Sequence, residues 1–268
     1  MDNIILIDNG KEIRSLESFG LFAYPEHTNP SSADFLFNTE KIQSNIWLFG
    51  SIRDTKVATI PCFFEGNQMQ FQIILNQLNE FFFDEFMKPI MLKISFDYET
   101  DRYMHMYLSE PFDLSRNYDN KEISLSFIAF DSKKYSKDKA SDITWGSTTI
   151  NFKSNYKLGN TGSGANGITI TSNTTLDTFV DGKAVKPSVK LVGTGTNVKI
   201  ACAGRVIDVG TFTGKTIIID TEQFIAYFNG VETLIDMDDF YIVPSSKVSI
   251  TGTNMNFTLT IDYQNVYM

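Results

Sequence analysis

The chain has 268 residues, of which 42% are hydrophobic and 13% aromatic, enough to bury the core of one large domain or two medium ones. Its formal net charge of −9 argues against a large nucleic-acid-binding surface, because acidic side chains repel phosphate. The two cysteines, Cys62 and Cys202, are too few and too far apart in sequence for a disulfide framework or a cysteine-based zinc site.

A change in composition near residue 140 predicts two domains. Residues 1–140 contain 21 acidic, 14 basic and 23 aromatic side chains, whereas residues 141–268 contain 11, 9 and 13. We therefore expect an N-terminal domain over residues 1–140 and a C-terminal domain over residues 141–268, with different surroundings.

The first part of the chain is predicted to be mainly strands. The apolar run at residues 4–7 is too short to span a membrane and begins a strand instead. A loop is predicted over residues 23–37, where prolines, asparagine and serines cluster. Apolar runs and alternation predict strands over residues 3–8, 12–22, 46–49, 57–64, 68–73, 90–98, 103–108 and 122–131.

One short helix interrupts these strands. Leu78, Phe82 and Phe86 lie four residues apart, which places them on one face of a helix predicted over residues 76–88. Pro89 lacks a backbone donor and is expected to end that helix. The charged residues 133–142 are predicted to form the linker between the domains.

The second part reads as a β-sandwich with turn residues between short strands. Asn229 and Gly230 both tolerate positive φ and predict a two-residue hairpin turn. The glycine-rich residues 158–167 predict a flexible loop. Strands are predicted over residues 148–152, 189–192, 198–202, 206–209, 216–220, 224–228, 231–234 and 247–251, and the final strand alternates Met255, Phe257, Leu259, Ile261 and Tyr263 with polar residues.

No motif in the chain predicts a catalytic, cofactor-binding or metal-binding residue. Residues 210–216 read GTFTGKT, which is one residue short of a phosphate-binding loop and precedes a strand, so a hairpin loop is predicted there. The carboxylates Asp236, Asp238 and Asp239 do not fit a calcium-loop template. His105 is interpreted as a strand histidine and Trp145 as a core residue.

The order of these elements resembles the distal tail proteins of long-tailed phages that infect Gram-positive bacteria. The resemblance extends from about residue 4 to residue 263. One departure is the SSK sequence at residues 245–247, where a Gly-Asn turn is expected. The resemblance depends on the strand–helix–hairpin–strand order of residues 71–131, on KPSVKL at 186–191, Gly193, TIIID at 216–220, NG at 229–230, DF at 239–240, Pro244 and VSITG at 248–252.

The resemblance implies a mainly β protein that is structural and not an enzyme, with no cofactor. Its N-terminal domain would be a β-sandwich-like ring domain with one short α-helix, and its C-terminal domain a galectin-like β-sandwich of the jelly-roll type. A hexameric ring would join the tail tube protein to the tail-associated hub or lysin protein. It would pass DNA as cargo, insert in no membrane, and hold a receptor-binding protein in some phages. The protein would be assembled in the host bacterial cytoplasm and act at the virion tail tip.

Two other classes of function are alternatives to this interpretation. The first is a carbohydrate-binding adhesin for the host cell wall, in which the sandwich binds sugar. The C-terminal part has one arginine, Arg205, one tryptophan, Trp145, and no histidine, which leaves few residues for a galectin-type sugar site. The second is a wall hydrolase, for which no catalytic spacing was found.

Contacts between copies are predicted at the helix. Phe81, Phe82, Phe83 and Phe86 place phenylalanine on more than one helical side, and aromatic residues are enriched in the cores of protein interfaces. One side would pack on the sheet and Phe83 would face elsewhere. The alternative is that all four belong to the core of a single chain.

Overall fold

The computed structural model describes residues 5–24, 35–42, 45–53, 55–110, 122–148, 156 and 165–268, with the backbone alone over residues 35–42 and 45–53. The predicted fold class is confirmed, because these residues form mainly strands with one α-helix. Residues 1–134 with Met268 form one compact unit, and residues 135–267 form the second. The division into domains over residues 1–140 and 141–268 that the composition predicts stays a prediction. In the part of the chain described, no helix is long and apolar enough to cross a membrane.

The first unit is built on a sheet of antiparallel strands, which pair in the order β2-β1-β7-β8-β9-β6-β3. Strands β4 and β5 pair with each other as a separate two-stranded sheet. The helix α1 (Gln68–Phe82) connects β6 to β7. The strands are β1 (Leu6–Asp8), β2 (Ile13–Ser15), β3 (Leu21–Ala23), β4 (Phe35–Ile42), β5 (Asn45–Arg53), β6 (Lys56–Phe64), β7 (Leu92–Ser95), β8 (Arg102–Leu108) and β9 (Glu122–Ala129).

Helix α1 lies earlier in the chain than predicted. Its start is fixed at Asn67, whose side chain accepts from the Gln70 N–H while the Gln70 side chain accepts from the Asn67 N–H. The strand predicted over residues 68–73 is therefore wrong, since these residues form the first turns of the helix. Glutamines alternating with apolar residues over six positions fit a strand, but the apolar set from Phe71 onward also recurs at helical spacing.

The core of the first unit lies between α1 and one face of the sheet. The rings of Phe82 and Phe127 meet edge to face with centroids 5.7 Å apart, and Phe81 contacts Phe19 at 5.1 Å. Cys62 lies in this core as a free thiol, and burial raises its pKa to about 12. The inward side chains of β6, β8 and β9 complete the core.

The second unit is built on an eight-stranded antiparallel sheet with the order β11-β18-β13-β14-β15-β16. In addition, β12 pairs with β18 and β17 with β14, while β10 pairs with β19. The strands are β10 (Lys134–Lys139), β11 (Ile168–Ile170), β12 (Thr174–Asp177), β13 (Ser188–Cys202), β14 (Arg205–Asp220), β15 (Ile225–Phe228), β16 (Val231–Thr233), β17 (Asp236–Met237), β18 (Lys247–Asp262) and β19 (Gln264–Tyr267).

Long bulged strands replace the pairs of short strands that the sequence predicted. The predicted strands at 189–192 and 198–202 are both parts of β13, and those at 206–209 and 216–220 are both parts of β14. The hairpin loop predicted over residues 210–216 is therefore wrong, because these residues lie within β14. Register shifts between β13 and β14 let the strands bend at glycines and threonines. In the sequence alone, these residues indicate turns. The predicted Asn229–Gly230 hairpin turn is confirmed, with φ of 52° and 81°.

The linker predicted over residues 133–142 is wrong for most of its length, because it contains strand β10. Ser136 is buried in it, and its Oγ accepts from the Asn265 N–H at 3.0 Å and donates to the Asp138 carbonyl at 2.8 Å. Lys134 and Ser136, two residues apart, are both buried, and a strand forms here despite the polar composition of the segment. His27, residues 25–34 of the loop predicted over 23–37, most of the predicted strand at 148–152 and residues 158–164 of the glycine-rich stretch lie outside the described residues.

Candidate interaction surface

The four predicted interface phenylalanines have different environments. Phe81 and Phe82 are buried in the core of the first unit, so no side-chain surface remains on Phe82 for a partner. Phe83 is half-buried against the same core. Phe86 lies beyond the end of α1, which stops at Phe82, and it is 71% exposed. Of the four, Phe86 therefore has the most side-chain surface available for a contact with another copy.

Phe86 lies on a tightly hydrogen-bonded loop, Phe83 to Ile90, which we call the Phe86 loop. One carboxylate oxygen of Asp84 accepts from the backbone N–H groups of Phe86 and Lys88, at 2.9 and 2.8 Å. The Asp84 N–H donates to the Lys88 carbonyl at 2.9 Å, and the Ile90 N–H donates to the Phe82 carbonyl at 3.0 Å. These hydrogen bonds fix the loop backbone, and the side chain of Phe86 is exposed to solvent on it.

Met87, at the tip of the same loop, has an unfavourable backbone conformation for its residue type. Its φ is 59°, in the left-handed region that glycine adopts without steric conflict, and its side chain is 71% exposed. A non-glycine residue there costs roughly 1 kcal/mol, and exposure means that burial does not offset it. The Met87 N–H donates to the Asp84 carbonyl at 3.0 Å, so the hydrogen bonds of the loop hold this conformation.

Replacing Met87 by glycine is expected to raise the free energy of unfolding by about 0.5–1 kcal/mol, because the left-handed strain disappears and no buried contact is lost. Chemical denaturation of the purified variant measures the change. Met69→Gly is the matched control, because Met69 is similarly exposed but lies in the first turn of α1, where glycine relieves no left-handed strain and is expected to lower the stability by less than about 1 kcal/mol. A loss of stability in Met87→Gly would contradict this account of the loop.

A second exposed apolar surface lies on the strands. Val57, Ile128 and Tyr107 are directly opposite one another on the adjacent strands β6, β9 and β8. Phe130 follows β9, and its ring centroid is 5.7 Å from that of Tyr107. Val57 is 51% and Phe130 66% exposed, while Ile128 and Tyr107 are half-buried. We call these four residues the apolar row.

The apolar row lies on the face of the sheet that α1 does not cover. On β9, Phe127 contacts Phe82 of α1, and its neighbour Ile128 therefore points away from the helix. The Phe86 loop connects the end of α1 to β7. A single copy of the first unit thus carries two separate apolar surfaces.

In the second unit, the candidate residues for sugar or metal binding have separate structural roles. Trp145, which was predicted to be core, is exposed, because it lies in a stretch of turns after β10. The guanidinium of Arg205 lies 5.3 Å from the Tyr241 ring centroid. Asp238 accepts from the Val206 N–H at 2.8 Å, and Asp239 pairs with Lys186 at 2.9 Å.

The described residues contain no group of three or more His, Cys, Asp or Glu side chains placed to hold a metal ion. His105 lies in β8 opposite Lys93, with its ring 5.2 Å from that of Tyr103. Its strand position is the one that the alternation around it predicts.

Sequence reasoning missed Met87 and the apolar row. The signal for the row was present, since Val57 and Ile128 are apolar at strand positions whose neighbours Ala58 and Phe127 form the core. A strand with one wet face is expected to alternate with polar residues, and these two positions break that alternation.

Comparison with solved structures shows where this fold has been seen. The crystal structure of the Dit protein (gp 19.1) of phage SPP1, described as a paradigm of the hub adsorption apparatus in Gram-positive infecting phages, superposes with a TM-score of 0.67. The alignment covers 99% of both chains at 11% identity, which establishes a shared fold.

Weaker likenesses are found to two structures of the phage p2 baseplate in its activated conformation. The one with Ca has a TM-score of 0.49 at 10% identity and covers 99% of this chain and 98% of the other. The one with Sr has a TM-score of 0.45 at 10% identity and covers 97% of each chain. Scores this low do not establish a common fold. No protein-family model and no curated protein matches the sequence.

Proposed function

We propose that this chain is a structural protein of a phage tail tip, of the distal tail (Dit) type, from a long-tailed phage of Gram-positive bacteria. The observation that carries the proposal is the match in fold to SPP1 Dit along 99% of both chains. The match covers both units, whereas a match to one widely shared domain would say little about a common role.

In this proposal the protein works by shape and not by chemistry. Copies of the chain form a hexameric ring through the N-terminal domain, and the C-terminal domain projects outward. A ring requires a contact between two different surfaces of neighbouring copies that closes by rotation. The first unit carries two such surfaces, the Phe86 loop and the apolar row, which supports this assignment.

The ring would join the tail tube protein to the tail-associated hub protein and let DNA pass through its channel. The net charge of −9 fits that task, because an acidic conduit does not retain the phosphates that move through it. The C-terminal domain would offer a site for a receptor-binding protein. Assembly would take place in the cytoplasm of the host, and the finished protein would act at the virion tail tip.

The mass of the assembled species in solution tests the proposal. Native mass spectrometry of the purified chain is expected to show a hexamer of the 30.3 kDa subunit, with its population rising with concentration. Removing salt adducts stepwise and repeating the measurement over a dilution series separates a defined ring from non-specific clusters. A chain that stays monomeric up to about 100 μM, a concentration at which even weak specific contacts are populated, would contradict the proposed ring.

A further inference from the structure

We infer that the Phe86 loop of one copy binds the apolar row of a second copy of the same chain. This inference rests on the proposed function, because it names the contact that would build the ring. The contact pairs Phe86 and Met87 with Val57, Tyr107, Ile128 and Phe130. It is heterologous, so that each copy uses its loop toward one neighbour and its row toward the other.

The loop has the properties of an interface anchor. Phe86 and Met87 are both 71% exposed, and the two bonds from the Asp84 carboxylate order the loop before any partner arrives. A pre-ordered anchor loses little conformational entropy on binding, and large apolar side chains at the centre of an interface supply most of its energy.

The row is suited to receive that anchor. Three of its residues are direct cross-strand neighbours on the rigid core strands β6, β9 and β8, and Phe130 borders them at 5.7 Å from Tyr107. The row is therefore a fixed aromatic and aliphatic surface with its own partly exposed ring at one end.

Charge supports the pairing of these two surfaces. Glu85 is exposed on the loop next to Phe86, while Lys133 is exposed three residues after Phe130. Lys133 holds Asp131 at 3.7 Å, a surface ion pair of the kind that contributes little and is readily exchanged. A loop docked on the row would bring a carboxylate toward this ammonium group.

The heterologous nature of the contact explains why the occupant is another copy in a ring and not the second half of a closed dimer. Two copies joined by one loop and one row still leave one loop and one row open. Further copies fill them, and ring closure then gives every copy two contacts.

Mixing two single variants tests this pairing directly. Phe86→Asp removes the anchor and leaves the row, while Phe130→Asp places a charge on the row and leaves the loop. Both positions are exposed and lie outside the helices and strands, so both variants should fold, and circular dichroism checks this. Each variant alone is expected to weaken self-association at least about tenfold, the effect of losing a hot-spot side chain.

The 1:1 mixture is expected to form a heterodimer that grows no further, because only one intact loop and one intact row can meet. Isotopic labelling of one variant identifies this species by mass in native mass spectrometry. Met69→Asp, an exposed apolar position of the same unit, is the matched control and should assemble as the unmodified chain does.

Two results would overturn the inference. These are association of either variant alone at the unmodified level, and a mixture that stays as monomeric as its two components. The first would leave the proposed ring function standing and show that another surface builds it. An unmodified chain that never associates would contradict the ring itself and this contact with it.

Discussion

Replacing Phe82 by alanine is expected to lower the stability of the first unit by about 3–5 kcal/mol. Phe82 is fully buried between α1 and the sheet, and its ring packs edge to face on Phe127. The substitution removes a large apolar side chain from the close-packed core and leaves a cavity that the surrounding residues fill only partly. Hydrogen exchange of the α1 and β9 amides measures the change within this unit, so that the behaviour of the second unit does not obscure it.

Phe86→Ala is the matched control, because it removes the same side chain from a position four residues further along. Phe86 is exposed, and its loss is expected to change the exchange of the same amides by less than about 0.5 kcal/mol. The two substitutions therefore separate a core role from a surface role among the four phenylalanines. Equal protection in both variants would show that Phe82 is not the core residue described above.

Replacing Gly193 by alanine is expected to destabilise the second unit by more than about 3 kcal/mol. Gly193 has a φ of 144°, and a Cβ there would lie 2.3 Å from the Asn256 carbonyl oxygen and 2.7 Å from the Phe257 Cα. Both atoms belong to the backbone of the paired strand β18, which cannot move aside without breaking the β13–β18 ladder. Loss of amide protection along β13 and β18, or a fall in the melting temperature, measures the effect.

Gly204→Ala provides the comparison for this position. Gly204 also has a positive φ, 77°, but a Cβ there meets no atom within 4 Å. Its substitution is expected to cost about 1 kcal/mol, the strain of the left-handed backbone alone. The difference between the two variants measures the steric contact with β18 together with the greater backbone strain of a φ of 144°. Similar losses in both would show that backbone strain, and not close approach of the strands, explains the glycine at 193.

Strict alternation was the sequence signal that predicted structure best. Met255, Phe257, Leu259, Ile261 and Tyr263 are all buried, as their alternation with polar residues predicted. A strand with one buried face repeats every two residues, and no other element gives that pattern over nine positions. The Asn229–Gly230 turn was predictable for a similarly local reason, because its backbone conformation depends on the two residues themselves.

The ends of elements were harder to predict because they depend on contacts that are distant in sequence. Helix α1 ends at Phe82 and not near Pro89, since Phe83 bridges to Pro89 and Asp84 closes the loop between them. Phe86 was placed on the helical face for this reason, although it lies beyond the helix. The aspartate four residues before Lys88 was a turn signal that helical spacing outweighed.

Bulged strands and the polar strand β10 were mispredicted for a related reason. Gly193, Gly195 and Gly210 read as turn residues, yet in β13 and β14 they permit bends and close approach between strands. In β10, Lys134 and Ser136 are buried, whereas Lys137 and Lys139, which suggested a solvated linker, are exposed. Pairing partners distant in sequence decide both cases, since Gly193 lies opposite Phe257 and Ser136 accepts from the Asn265 N–H.

The candidate surface was predicted only in part. The sequence identified the phenylalanine cluster as a place for contacts between copies, but it did not separate Phe82, which holds the core, from Phe86, which faces water. That distinction requires the position of the helix end. The apolar row is assembled from three strands, β6, β8 and β9, whose adjacency is a property of the fold and not of any one segment.

Electron microscopy of negatively stained, purified protein tests the central claim most directly, because it shows whether copies of this chain form a closed annulus. The account predicts class averages of rings with a central opening wide enough for duplex DNA, and none in Phe86→Asp prepared in parallel. Open filaments, compact dimers without an opening, or single particles at every concentration would contradict it.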